Sequence, residues 1–260
     1  MLSGGFGLIS SLLLITFLPR KEKEGTQPEQ NIVGNLELKI SDIKSVLLDK
    51  SLFFIGLVLL GAQIAWGLPL TFIMFYLEDY LKINSVTAGF IASLNLICGL
   101  VSAPVFGKLY DKVRNIKKLL FVCGVAMSAG LACNAVTGTS YAEYVVVMSN
   151  ILVGVFSAGV FTIAYTSAKE ASLNTRAEMK NKENIETTLT KRSNRRQYSY
   201  ETLGISWVNG LSLFGAFWVP IIFSFVVHHI SYTVAWLLGG LFSFLFIIPS
   251  LGIAAYKVQQ

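Results

Sequence analysis

Apolar residues do not alternate along this chain; they arrive in blocks. Between Thr202 and Tyr256 lie 55 residues without one Asp, Glu, Lys or Arg. Five further charge-free blocks cover residues 1–19, 51–77, 83–107, 119–142 and 144–168. A helix needs about 20 apolar residues to cross a hydrocarbon core of roughly 30 Å. The long block therefore crosses twice, turning at His228-His229-Ile230-Ser231-Tyr232, and the pattern predicts seven spans. Residues 53–60 are apolar on every face, whereas barrel strands alternate apolar and polar positions. Only a helix satisfies every backbone hydrogen bond inside such a segment. The predicted class is an all-α polytopic membrane protein.

The polar stretches of any size are 20–50 and 169–201. The first begins charged and turn-rich. It ends on Ser41, which can cap a short helix with Asp42 in its first turn. Ile40, Ile43 and Leu47 then share one face, predicting an amphipathic piece along the membrane surface. The second carries eight basic and five acidic residues and few large apolar ones. Its expected state is disordered or partly helical.

Charged residues make up 14% of the chain, against about 25% in a soluble protein. The net charge of +6 invites a nucleic-acid partner, but position argues for lipid. If the seven spans cross in turn, 20 of the 21 Lys and Arg fall on one side and Lys82 alone on the other. Basic loops stay in the cytoplasm, so the C-terminus is expected there, in the plasma membrane. Cys98, Cys123 and Cys133 all fall in spans, with no metal-ligand spacing. No metal site, cofactor or catalytic residue is predicted. Residues 1–18 lack a basic start, and their Arg and Lys follow the apolar run. They read as a short span rather than a signal peptide.

Between the third and fourth spans stands Gly107-Lys108-Leu109-Tyr110-Asp111-Lys112-Val113-Arg114-Asn115-Ile116-Lys117-Lys118. This resembles the loop signature of the major facilitator superfamily, Gly-x-Leu-x-Asp-Arg/Lys-x-Gly-Arg/Lys-Arg/Lys. Gly107, Leu109, Asp111 and Lys112 match; Arg114 replaces the second glycine, and the basic pair is displaced to Lys117-Lys118. In that family the signature follows the second helix of a six-helix repeat. The resemblance therefore implies that 1–18 is the last helix of an N-terminal half. Residues 19–50 would be the cytosolic linker, and 51–256 a complete C-terminal six-helix bundle with cytosolic loop 169–201.

The resemblance further implies a conformational-switch loop. Asp111 would attract the helix N-terminus near Thr202 and Ser206, Lys112 would pair with Glu170, and Gly107 would permit a tight turn. It also places the second, third, fifth and sixth spans beside a central cavity. Gln63, Trp66, Asn95, Asn150 and Asn209 then become substrate contacts, and Asn134 does not; hydrogen bonding between helices is the competing role for each amide. No Asp, Glu, Lys or Arg lies at mid-depth in any span, so no coupling carboxylate is expected.

The function implied is secondary transport of a small solute by alternating access, with this chain as a C-terminal-half fragment. A separately encoded N-terminal half or a homodimer would complete it. The alternatives are a seven-span receptor-like protein, a noncatalytic membrane scaffold, or an inactive transporter remnant. A retinal protein is disfavoured because residues 231–256 contain no Lys. An enzyme is not expected.

Overall fold

The computed structural model describes residues 46–113, 115–136, 141–183 and 190–253. The first predicted span, the Ser41 cap and Arg114 lie outside them. The described residues form six long helices and no strand. They are α1 (Lys50–Phe75), α2 (Ser85–Lys112), α3 (Ile116–Cys133), α4 (Ala142–Glu183), α5 (Thr190–His229) and α6 (Tyr232–Ile247). All six, α6 together with the turn that follows it to Gly252, are long and apolar enough to cross a membrane.

Short polar side chains set the helix starts. The Asp49 carboxylate accepts from the amides of Ser51 and Leu52 at the head of α1. Asn84, Asn115 and Ser231 do the same for α2, α3 and α6. Each satisfies amides that a first helical turn leaves without a partner. Pro69, Pro104 and Pro220 sit inside continuous helices. Pro249 instead falls in a 3₁₀ turn, Ile248–Gly252, that ends α6.

Two boundaries differ from the hydropathy reading. The charge-free blocks end at Leu77 and resume at residue 83, but helix continues beyond α1 as a π-helical segment, Tyr76–Tyr80. The chain reverses only over 81–84, where Lys82 takes a positive φ of 57°. The polar stretch 169–201 is largely helical: α4 continues to Glu183 and α5 begins at Thr190. Forty-two residues of α4 span about 63 Å, twice a hydrocarbon core. Helix formation therefore outlasts the apolar run, because Lys, Glu and Arg are good helix formers in water.

The two ends of the bundle carry opposite charge. Lys108, Lys112, Lys117 and Lys118 mark the basic end, between α2 and α3, while Glu78, Asp79 and Glu143 outnumber Lys82 at the acidic end. Helix α1 lies at the centre, with 67% of its most apolar stretch buried, against 22% for α2 and 24% for α5.

Lipid tails are as apolar as leucine, so contact between helices rests on small residues and hydroxyls. The Ser128 and Ser243 hydroxyls meet at 2.9 Å, and Ser243 donates to the Gly61 carbonyl at 3.0 Å. That buried chain ties α3, α6 and α1 together. Ser149 donates to the Gly130 carbonyl at 2.6 Å, joining α4 to α3, and Ser102 to the Val155 carbonyl at 3.2 Å, joining α2 to α4. At Gly154 the α4 backbone touches α2 directly, with the Asn95 Cα and carbonyl carbon 3.0 Å from where a Cβ would stand.

Candidate functional site

The residues of interest separate into three places. The first is an aromatic–amide strip across α1, α4 and α5. Trp66 on α1 meets Phe161 on α4 edge-on, ring centroids 6.0 Å apart at 82°. Phe161 lies nearly parallel to Tyr165, one turn further along α4, at 6.4 Å. The Tyr165 hydroxyl donates to Asn209 Oδ1 on α5 at 2.9 Å. Gln63 precedes Trp66 by three residues, which places it on the same side of α1. All five are half-buried. The adjoining backbone is open, because a Cβ on Gly67 or on Gly210 would meet nothing within 4 Å. Gln63, Trp66 and Asn209 therefore border a face with room beside it. Composition did not flag Phe161 or Tyr165; their signal was a pair of aromatics four apart, which also describes ordinary helix packing.

The second place is the contact between α2 and α4. Asn95 is 1% exposed and Asn150 fully buried. Asn150 Nδ2 donates to its own helix at the Val146 carbonyl, 2.9 Å away. Its Oδ1, and both polar atoms of Asn95, have no hydrogen-bond partner. A buried polar atom left unpaired costs about 1–3 kcal/mol. Asn134 is also fully buried with an unpaired amide, while its backbone carbonyl accepts from the Tyr76 hydroxyl at 2.8 Å. The five predicted contacts thus divide: three border the open face, and Asn95 and Asn150 are closed off inside a helix pair.

The third place is the basic end. Gly107, Leu109, Asp111 and Lys112 all belong to the last turns of α2, which ends at Lys112, and α3 begins at Ile116. No atom lies within 4 Å of a Cβ built on Gly107, so close helix approach does not require glycine there. Asp111 and Lys112 are exposed, and Lys112 suits the negative end of the α2 dipole. Among the described residues no ion pair joins Lys112 to Glu170. The α2 side chain beside Glu170 is Tyr110, whose buried hydroxyl lies near Glu170 and Ser167 but makes no hydrogen bond with either. Since α5 begins at Thr190, the amides of Thr202–Ser206 lie inside a helix. They are not the free N-terminus expected for Asp111.

A sequence profile of the Major Facilitator Superfamily matches residues 1–177. No curated protein matches the chain. Among solved structures it is similar to the crystal structure of the peptide transporter POT in complex with alafosfalin, with a TM-score of 0.59 and 15% identity. The likeness, which is one of fold, covers 82% of this chain and 41% of that one. The chain thus spans about two-fifths of the length of that solved relative.

Proposed function

The chain belongs to the Major Facilitator Superfamily, and from that premise we propose that it forms part of a secondary transporter that moves a small solute by alternating access. It acts as one bundle of a two-bundle carrier and catalyses no reaction. Residues 51–256 supply the six-helix bundle, 1–18 the last helix of the preceding half, and 19–50 the linker. A longer polypeptide, a separately encoded half or a second copy closes the cavity. The basic end faces the cytoplasm of the cell, by the rule that basic loops are retained there, and the protein resides in the plasma membrane.

The observation that carries this reading is the strip of Gln63, Trp66 and Asn209, with Phe161 and Tyr165. Half-buried polar and aromatic groups from three helices converge here beside open backbone. These groups hold the solute. Asn95 and Asn150 lie behind the site, packed between α4 and α2. Gly107, Leu109, Asp111 and Lys112, with Glu170, form the switch at the basic end. Asp111 and Lys112 are exposed, as groups that exchange partners between two states must be.

The test needs no known solute. In a background free of Cys98, Cys123 and Cys133, Gly67→Cys and Gly210→Cys are labelled with a membrane-impermeant maleimide in vesicles of either orientation. Alternating access predicts labelling from both sides, with Asp111→Asn changing the ratio of the two. No labelling from either side would remove the aqueous cavity, and an unchanged ratio in Asp111→Asn would remove the switch.

A further inference from the structure

A cavity of about 260 Å³ opens between α5 and α6, floored by α1. It is separate from the solute strip. It runs on α5 from Phe214 to Val226 and on α6 from Ala235 to Phe246, against Leu60 to Leu68 of α1. Every lining residue is apolar.

Its shape has a physical origin. Gly215 and Gly239 lie in its wall, where a Cβ would come within 2.8 Å of the Leu60 and Leu68 side chains respectively. Both glycines are therefore held against α1. With α5 and α6 each drawn onto α1 at these points, the bulky residues between them cannot close the space. Pro220, which donates no backbone hydrogen bond, lies in the same stretch of α5.

Its length is informative. The 12 steps from Phe214 to Val226 rise about 18 Å along the helix. Half a hydrocarbon core is about 15 Å. The slot thus extends from the α5–α6 turn to the bilayer midplane, parallel to the helices, and covers one leaflet. An acyl chain matches that length, that orientation and that apolar surface.

The mouth has different chemistry. His229 continues the slot-facing row of Ile222 and Val226 by one turn, following the spacing of neighbours on a helix face. Both His228 and His229 are exposed. His229 Nδ1 donates to the Phe225 carbonyl at 2.9 Å, and its ring stacks on Phe225 at 4.1 Å. The imidazole is thereby fixed at the level where headgroups begin, with Nε2 turned away from its own helix. We infer that the slot retains one phospholipid from the leaflet at the acidic end, an acyl chain between α5 and α6 and the phosphate beside the His228–His229 pair.

The experiment uses the full chain in nanodiscs of phosphatidylglycerol and phosphatidylcholine, with a trace of a phospholipid carrying a diazirine in mid-chain. Irradiation and peptide mapping are expected to place most adducts on residues 214–226 and 238–246. Leu238→Trp, which fills the slot from its rim, should cut those adducts at least fivefold. Val101→Trp, on an exposed face of α2, should leave them unchanged. Replacing both histidines by Ala should raise the lipid concentration needed for half-maximal labelling about tenfold. Two readouts guard against misfolding of the Trp variant: retention of a monodisperse peak, and Phe242→Ala, which widens the slot and should preserve labelling. Adducts spread evenly around the bundle, adducts unaffected by Leu238→Trp, or crosslinks to a second copy at the same residues would each overturn the site.

Discussion

Gly154→Ala, set against Gly107→Ala, tests how this bundle is held together. The two glycines sit on neighbouring helices and are alike in sequence terms, yet their surroundings are opposite. A Cβ on Gly154 would overlap the Asn95 carbonyl oxygen, with the Asn95 Cα and carbonyl carbon only 3.0 Å away. Those are backbone atoms, so no rotamer change relieves the clash; α2 and α4 must separate. Separation would strain the Ser102 bond to Val155 and disturb the already unpaired Asn95 amide. Overpacking of a well-packed contact costs about 1–3 kcal/mol, a shift of about 5- to 150-fold in the folded-to-unfolded ratio. Gly107 meets nothing within 4 Å and lies inside α2. Alanine there removes backbone freedom at no steric cost and should stabilise by about 0.5–1 kcal/mol. The assay is reversible unfolding in mixed micelles by titration with a denaturing detergent, followed by circular dichroism, with both variants beside the parent chain. Equal stability of Gly154→Ala and the parent would refute the direct backbone contact. If Gly107→Ala proved destabilised by 1 kcal/mol or more, the open surroundings assigned to it would be wrong.

Three further outcomes follow from the same contacts. Ser243→Ala removes the hydroxyl bridging Ser128 and the Gly61 carbonyl. It should destabilise by about 1–2 kcal/mol, since hydrogen bonds between membrane helices are worth about 0.6 kcal/mol on average and up to about 1.7; an unchanged unfolding midpoint would count against that chain. Tyr165→Phe leaves Asn209 Oδ1 without its 2.9 Å partner, so stability should fall by no more than about 1 kcal/mol while maleimide reaction at Gly210→Cys rises several-fold; constant reactivity would show that the bond does not order that face. Tyr110→Phe should change stability little, because its hydroxyl makes no well-formed bond; a loss of 2 kcal/mol would place a real bond to Glu170 there.

How far the site was legible in the sequence depended on the kind of information. Gln63, Trp66 and Asn209 could be picked out because polar or amphipathic residues are rare within apolar spans, and all three border the open face. Asn95 and Asn150 carry the same signal, yet they are buried between α2 and α4. An amide buried between two helices and one that faces a cavity look identical in a single sequence. Glu170 was expected to pair with Lys112, but the α2 side chain beside it is that of Tyr110. One residue of helix rotates a side chain by about 100°, so the partner depends on how α2 lies against α4.

The linear order of residues determined the count and depth of the described spans, the placement of charge at the two ends, and the family. Hydrophobic length is a one-dimensional property, and the bilayer measures it as a thickness. The tertiary structure decided which face of each helix is inside. Soluble helices announce that face by an apolar stripe, but here lipid and protein interior are equally apolar, so the stripe is missing. Only the actual approach of backbones, glycine against carbonyl and serine against serine, breaks that degeneracy. It gathers Trp66, Phe161, Tyr165 and Asn209 into one strip while leaving a slot one leaflet deep between α5 and α6.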